Sequence, residues 1–228
     1  DAVSHKKEVV IMKHTKKALV ALVMAVLMVA MTACSGSKFD ASSYVQSCLD
    51  VLTKGEKDKY MELTGRTEEE ATQDYEDNLQ AMVDDMASIG ITDESLLEQY
   101  RTFFADLMKM TKYDVKEAKE DGDNYTVDVE ITPVTGVFDG ILDQLLADAE
   151  EYGAEKESAG EELTDDDLQQ WVCEKLLELV KANMASASYG DPVTVTVHVV
   201  NNDDVYEIPE ADYTALDDAL IDLGDLAE

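Results

Sequence analysis

The chain is poor in basic side chains: its 228 residues hold 18 lysines and arginines against 51 aspartates and glutamates, a formal net charge of −33. Nucleic-acid binding needs the opposite sign, because phosphate contacts draw on clustered lysine and arginine, and that class is excluded. Docking on anionic lipid headgroups by electrostatics is disfavoured for the same reason. Cysteine is scarce, and Cys34, Cys48 and Cys173 lack the short paired spacing of a metal centre. Histidine is scarcer in the body of the chain: His5 and His14 fall near the N-terminus, which leaves His198. One histidine with no paired cysteines does not furnish a zinc site. Nucleophile–histidine catalysis would have to run through His198, whose mid-strand, polar-face position is ordinary for a solvated histidine. No GxGxxG, GxxxxGK[ST], HExxH or GxSxG motif occurs.

Long apolar runs are absent with one exception. Lys13, Lys16 and Lys17 precede an apolar stretch from Ala18 to Ala33, and small residues close it. That is the order of a secretory signal. Its 16 residues make a helix of about 24 Å, short of the roughly 30 Å of a bilayer core, so a cleaved signal is expected rather than a permanent span. Met12 is well placed to start it, and residues 1–11 are set aside from fold reasoning. The closing tetrad Met31-Thr32-Ala33-Cys34 resembles the lipobox of bacterial lipoproteins, with Met31 where that motif usually carries leucine. The resemblance implies that Cys34 is diacylated on its sulfur and becomes the first residue of the mature protein; the alternative is an ordinary signal peptide beside an unrelated cysteine. Residues 1–33 are then upstream sequence and signal, 34–38 a tether, and 39–228 one extracytoplasmic domain. The tether reaches under about 20 Å even when extended. From Cys34 onward the chain carries 13 basic and 49 acidic side chains, a formal charge of −36.

Helical periodicity follows. Asp40 or Ser42 caps a helix bearing Tyr44, Val45, Cys48, Leu49 and Leu52, stopped by Gly55. Glu56 to Leu63 reads as a short turn ending at Gly65. Thr67 and Glu70 form a capping box before a helix with Ala71, Tyr75, Leu79, Met82, Val83 and Met86 on one face, ended by Gly90. Thr92 caps a third, whose Leu96, Leu97, Tyr100, Phe103, Phe104 and Leu107 read as core. The period then drops from 3.6 to 2. Tyr113–Glu120 and Tyr125–Ile131 flank the turn Asp121-Gly122-Asp123-Asn124 as an antiparallel hairpin closed by Pro133. A helix is expected from Val137 to Tyr152 with Phe138, Ile141, Leu142, Leu145 and Leu146 inward, then a mobile loop from Gly153 to Gly160. Thr164 starts another helix, with Leu168, Trp171, Val172, Leu176, Leu179, Val180 and Met184 as its stripe. Val193, Val195, Val197 and Val199 then alternate with Thr194, Thr196 and His198, before the turn Asn201–Asp204, a return strand from Val205 to Ile208, and a last helix with Tyr213, Leu216, Leu220 and Leu223.

The expected fold is α+β. An isolated hairpin is marginal, so both should join in a single antiparallel sheet of about four strands, with several amphipathic helices on its valine-rich face. That plan is similar to a cystatin- or NTF2-like layout. The lipobox, the acidic Tyr- and Met-containing helices and the hairpin KYDVKEAKEDGDNYTVDVEITP together resemble the uncharacterised lipoproteins of Gram-positive gut bacteria. The likeness implies an envelope address and no activity.

Cys48 and Cys173 lie on apolar stripes, so buried free thiols are expected, with a disulfide between them as the alternative open to an exported protein. No cofactor is expected. Calcium is the metal this composition supports, through oxygen ligands at Asp121, Asp123 and Asn124 or at Asn201, Asn202, Asp203 and Asp204. Both clusters coincide with hairpin turns, which favour the same residues without a metal. The polar sheet face, with Thr126, Asp128, Glu130, Thr194, Thr196 and His198, is the candidate ligand face. Carboxylates are too numerous to single out an acid–base pair. The expectation is a membrane-anchored binding or interaction module outside the cytoplasm, with an envelope protein or a cationic ligand as partner. The alternatives are a carboxylate-based hydrolase of envelope glycans or peptides, and an accessory subunit or sensor of a membrane transporter or kinase. A hydrolase should show a deep pocket of converging carboxylates, at least one with a raised pKa; a binding module should show an open face without one.

Overall fold

A computed structural model describes residues 39–88, 90–202 and 205–224. Met31, Thr32, Ala33 and Cys34 lie outside the described residues, as do Asp203 and Asp204. The described chain is α+β.

Helix α1 (Ala41–Lys54) starts where Asp40 accepts the Ser43 N–H at 3.0 Å and ends at Gly55, whose φ of 69° supplies the left-handed turn of a helix stop. Nine of its 14 residues are buried, so it is the central helix, surrounded rather than laid on a surface. Helix α2 (Asp58–Thr64) follows, where the sequence pattern reads as a turn. Seven residues of mixed polarity carry no helical stripe, and the segment is held by tertiary contacts: Tyr60 is fully buried and donates to Asp74 at 2.8 Å. Helix α3 (Glu68–Ser88) opens on the expected capping box, with the Glu70 N–H bonded to Thr67 Oγ1 and the Glu70 carboxylate to the Thr67 N–H. Helix α4 (Glu94–Lys109) is capped by Asp93 rather than Thr92. Its aromatic stripe is core, and Tyr100, Phe103 and Phe104 form an edge-tilted cluster.

The sheet order is β1-β3-β6-β7, antiparallel throughout. β1 (Lys112–Val115) and β2 (Lys119–Asp121) both pair with β3 (Asn124–Thr132), so the expected first strand is one strand interrupted at residues 116–118. β6 (Val193–Asn202) lies along β3, and β7 (Val205–Glu207) pairs only with the last three residues of β6. A second, two-stranded sheet was not legible in the pattern: β4 (Val134–Thr135) pairs with β5 (Ser188–Tyr189).

Between β4 and β5 run α5 (Ile141–Ala159) and α6 (Asp165–Met184). The expected loop Gly153–Gly160 is helix up to Ala159; the chain turns at Gly160, with φ 71°. Gly153 and Ala149 are buried there, small residues that let α5 lie close to its neighbours. Tyr152 stacks on Trp171 of α6 at 4.9 Å, locking that pairing. The helix begins at Ile141, not Val137; Val137 and Phe138 are fully buried in the connection before it, while Leu142 and Leu146 are only half-buried. In α6 the core positions are Leu168, Val172, Cys173, Leu176, Leu177 and Val180, with Trp171, Leu179 and Met184 at the margin. The last helix, α7 (Glu210–Leu220), buries Tyr213, Leu216 and Leu220.

Val127, Val129, Ile131, Val197 and Val199 are buried beneath α1 and α7. Val193, assigned by alternation to the same buried face, is 43% exposed because it lines an open cavity at that end of β6 instead of filled core.

Candidate functional site: the open face of the sheet

Register brings all six candidate face residues together. Thr126 pairs with His198, Asp128 with Thr196, and Glu130 with Thr194, three successive cross-strand pairs on the face opposite the buried valines. Thr196 Oγ1 donates to Asp128 at 2.8 Å, so the contacts are physical as well as topological.

Lysines from the outer strands join them, and sequence reasoning missed these. Lys119 donates to Asp128 at 2.7 Å; Lys116 bonds Asp114 at 2.5 Å and lies 3.5 Å from Glu130. Hydrogen bonds from Lys119 and then Thr196 hold the Asp128 carboxyl below its ordinary pKa, and the bond to Asp114 pushes Lys116 up. Lys112 sits over the Tyr189 ring at 3.4 Å, and Tyr189 in turn donates to the Met110 carbonyl at 2.9 Å. By register Lys112 and Asp114 share the face, opposite Thr132 and Glu130. Lys112, Lys116 and Lys119 thus balance Asp114, Asp128 and Glu130 on a chain whose net charge is −33. The close spacing of Lys109, Lys112, Lys116 and Lys119 was the available signal.

At the far strand, the His198 backbone N–H and Nδ1 both meet Asp212 Oδ2, at 2.6 and 3.0 Å. Asp212 comes from α7, 14 residues on, so alternation alone pointed to His198 but not to its partner. The imidazole itself is half exposed.

The β2–β3 turn meets the end of β6. The Asn201 N–H donates to Asn124 Oδ1 at 2.8 Å, which links the β2–β3 turn to the start of the β6–β7 turn. Asp121 and Asp123 are exposed around Gly122, whose φ of 66° the turn requires. Phe39 packs at the same end, stacked on Tyr206 at 3.9 Å and tilted against Tyr125. The first described residue therefore lies at the end of the sheet that carries the β2–β3 turn.

Cys48 and Cys173 are free, buried thiols. Burial pushes Cys48 up to about 12, and burial then the Glu174 charge push Cys173 up to about 12.

Cavities lined by described residues include the following three. One, of about 380 Å³, lies between the α3–α4 connection and α6, lined by Thr92, Asp93, Asp166, Gln169 and Cys173 among others. A second, of about 460 Å³, adjoins Phe39, Glu117, Glu120 and Tyr125. The third, of about 320 Å³, lies beside Val193. Asp85, whose carboxyl is pushed up by burial and by the neighbouring Asp84 charge, lines none of them. The site is an open, polar, charge-balanced sheet surface that can form hydrogen bonds and ion pairs with an extended partner.

What the fold and site define is an α+β domain with one face of its sheet buried and the other uncovered. No protein-family model matches the chain, and no curated protein matches it. Among solved structures the chain is similar to the crystal structure of a putative lipoprotein, ycdA, from Bacillus subtilis, with a TM-score of 0.56 and 17% sequence identity. The match covers 80% of this chain and 56% of that one, so the chain spans little more than half of its neighbour's length. At that identity the likeness is one of fold.

Proposed function

We propose that the chain is a lipid-anchored extracytoplasmic binding protein that receives a partner on the open face of its sheet. The observation that carries this is the balance of Lys112, Lys116 and Lys119 against Asp114, Asp128 and Glu130 on an uncovered face of a strongly acidic chain. Elsewhere the surface repels anything anionic; here an approaching polar surface meets both signs and pre-ordered hydrogen-bonding groups.

The anchoring half of the reading rests on the lipobox resemblance, and the name of the fold neighbour agrees with it. Its physics is consistent. A domain of −36 held within about 20 Å of a bilayer would be repelled from an anionic surface, with screening over about 8 Å. Stable retention takes two lipid signals, which a diacylglyceryl group on Cys34 supplies.

Two experiments test the two halves. Cys34→Ala should leave the domain folded and release it from the membrane fraction; a variant still lipid-labelled and processed at the same point overturns the anchor. A photoreactive group at Thr194, on the open face, should cross-link a discrete envelope partner in native cells, and one at Glu69 on α3 should not. Identical products from both positions, or none from Thr194, overturn the face.

A further inference from the structure

The outer edge of β6 is unpaired over its first half. Asn201 turns its N–H towards β3, where Asn124 Oδ1 accepts it, whereas His198 turns its N–H the other way, to Asp212. Even-numbered residues of β6 therefore point their backbone groups outward, and β7 uses them at Val200 and Asn202, opposite Glu207 and Val205. At Thr194 and Thr196 no backbone partner meets that edge among the described residues. Pro192, which has no N–H, closes the ladder at one end, and the Asp212 carboxylate closes it at the other.

Exposed edges are commonly guarded by lysine or by a bulge. This one is instead bordered by a cavity of about 320 Å³ lined by Pro133, Thr135, Gly190, Val193 and Ala219 together with Asp191, Asp218 and Asp222. Val193 and Tyr189, the exposed large hydrophobic residues of the described chain, both stand at this end of the sheet. Unpaired donors and acceptors, and beside them a pocket lined by both apolar side chains and carboxylates, are the parts that strand addition uses: backbone bonds for affinity, a pocket for a side chain, charge for selection.

We propose that the β6 edge accepts an extended segment of a partner protein as an added strand beside Thr194 and Thr196, with an apolar residue of that segment entering the Val193 pocket and a lysine or arginine two residues from it, on the same face, meeting the carboxylates there. The carboxylates select the charge, and the net −33 of the chain opposes edge-to-edge pairing of two copies. The inference rests on the reading of the chain as a binding protein and adds the chemistry of what is bound.

Amide hydrogen exchange on the isotopically labelled full chain, read by NMR with synthetic peptides in which threonine occupies every second position and valine and lysine, or valine and glutamate, take the others in turn, tests it. In the free protein the Thr194 and Thr196 amides should exchange at least about tenfold faster than those of Val195 and Val197, which face β3. The lysine peptide should slow Thr194 and Thr196 about tenfold or more, and the glutamate peptide should leave them unchanged. Asp191→Lys with Asp218→Lys should abolish the lysine-peptide effect; Thr196→Pro, which removes one edge donor and the Thr196–Asp128 side-chain bond but no backbone bond to β3, should weaken it. If Thr196→Pro does not fold, the charge variant decides alone. Protection already present without peptide, protection that rises with protein concentration alone, or no response to the lysine peptide overturns the edge assignment. A Thr194 cross-link in cells with no peptide response ends this inference and leaves the binding face standing; the absence of both ends the binding reading as well.

Discussion

One oxygen of Asp212 holds His198 twice, accepting its backbone N–H at 2.6 Å and lying 3.0 Å from its Nδ1. The backbone bond is the structural one. It occupies an edge donor that β7 is too short to reach, and it ties the first turn of α7 to the sheet. The imidazole, half exposed, adds an outer contact. Asp212→Ala should therefore cost about 1–2 kcal/mol, and His198→Ala less than about 0.5 kcal/mol, as for an exposed pair. Urea unfolding midpoints of the two variants check this; equal losses would show that the ring, not the amide, is the partner that matters.

Asn124 joins the two hairpins through a single acceptor, so its chemistry and not its size should matter. Asn124→Ala removes the acceptor that the Asn201 N–H uses, at a cost of about 1 kcal/mol. Asn124→Asp keeps an oxygen there and should retain most of the stability. Thermal melting of both separates the two cases, and a loss as large for Asp as for Ala would refute the link.

Buried thiols with pKa values near 12 have little thiolate at neutral pH. Cys48 and Cys173 should resist aromatic disulfide reagents in the folded protein and react fully in denaturant. Labelling followed by mass spectrometry of the two peptides gives the answer, and rapid modification of either under native conditions would contradict its burial.

Ser43, through its backbone N–H and then its hydroxyl, holds the Asp40 carboxyl below the ordinary range. With the folded pKa beneath the unfolded value of about 3.9, this cap stabilises the fold fully above that value, and the contribution is lost as pH falls through the folded pKa. Asp40→Asn keeps a capping oxygen but does not titrate. Between about pH 5 and pH 2 the variant should lose less stability than the wild type. Denaturation midpoints at several acid pH values test the sign, and parallel curves would argue against it.

Features that one segment satisfies by itself were legible. The capping box at Thr67–Glu70 closes within four residues, the helix start at Thr164 is equally local, and the alternation in β3 and β6 needs only one buried face. Features settled by a distant partner were not. Helix α2 forms because Tyr60 finds a buried slot and Asp74; residues 153–159 stay helical because Gly153 packs in the interior and Tyr152 finds Trp171. Asp212, Lys116 and Lys119 entered the site for the same reason, since charged residues on exposed helices and strands carry no pattern that names their partners.

The sequence by itself determined the period of each element, the two hairpins, the polar face of the sheet and its excess of negative charge, because these depend on residue type and spacing along one strand or helix. Tertiary structure decided how β3 and β6 align and which lysines neutralise that face. It also left half of the β6 edge open, because β7 is only three residues long and α7 reaches that edge at His198 alone among its backbone amides. Those outcomes depend on where chain segments far apart in sequence come to rest, and local propensity does not encode that.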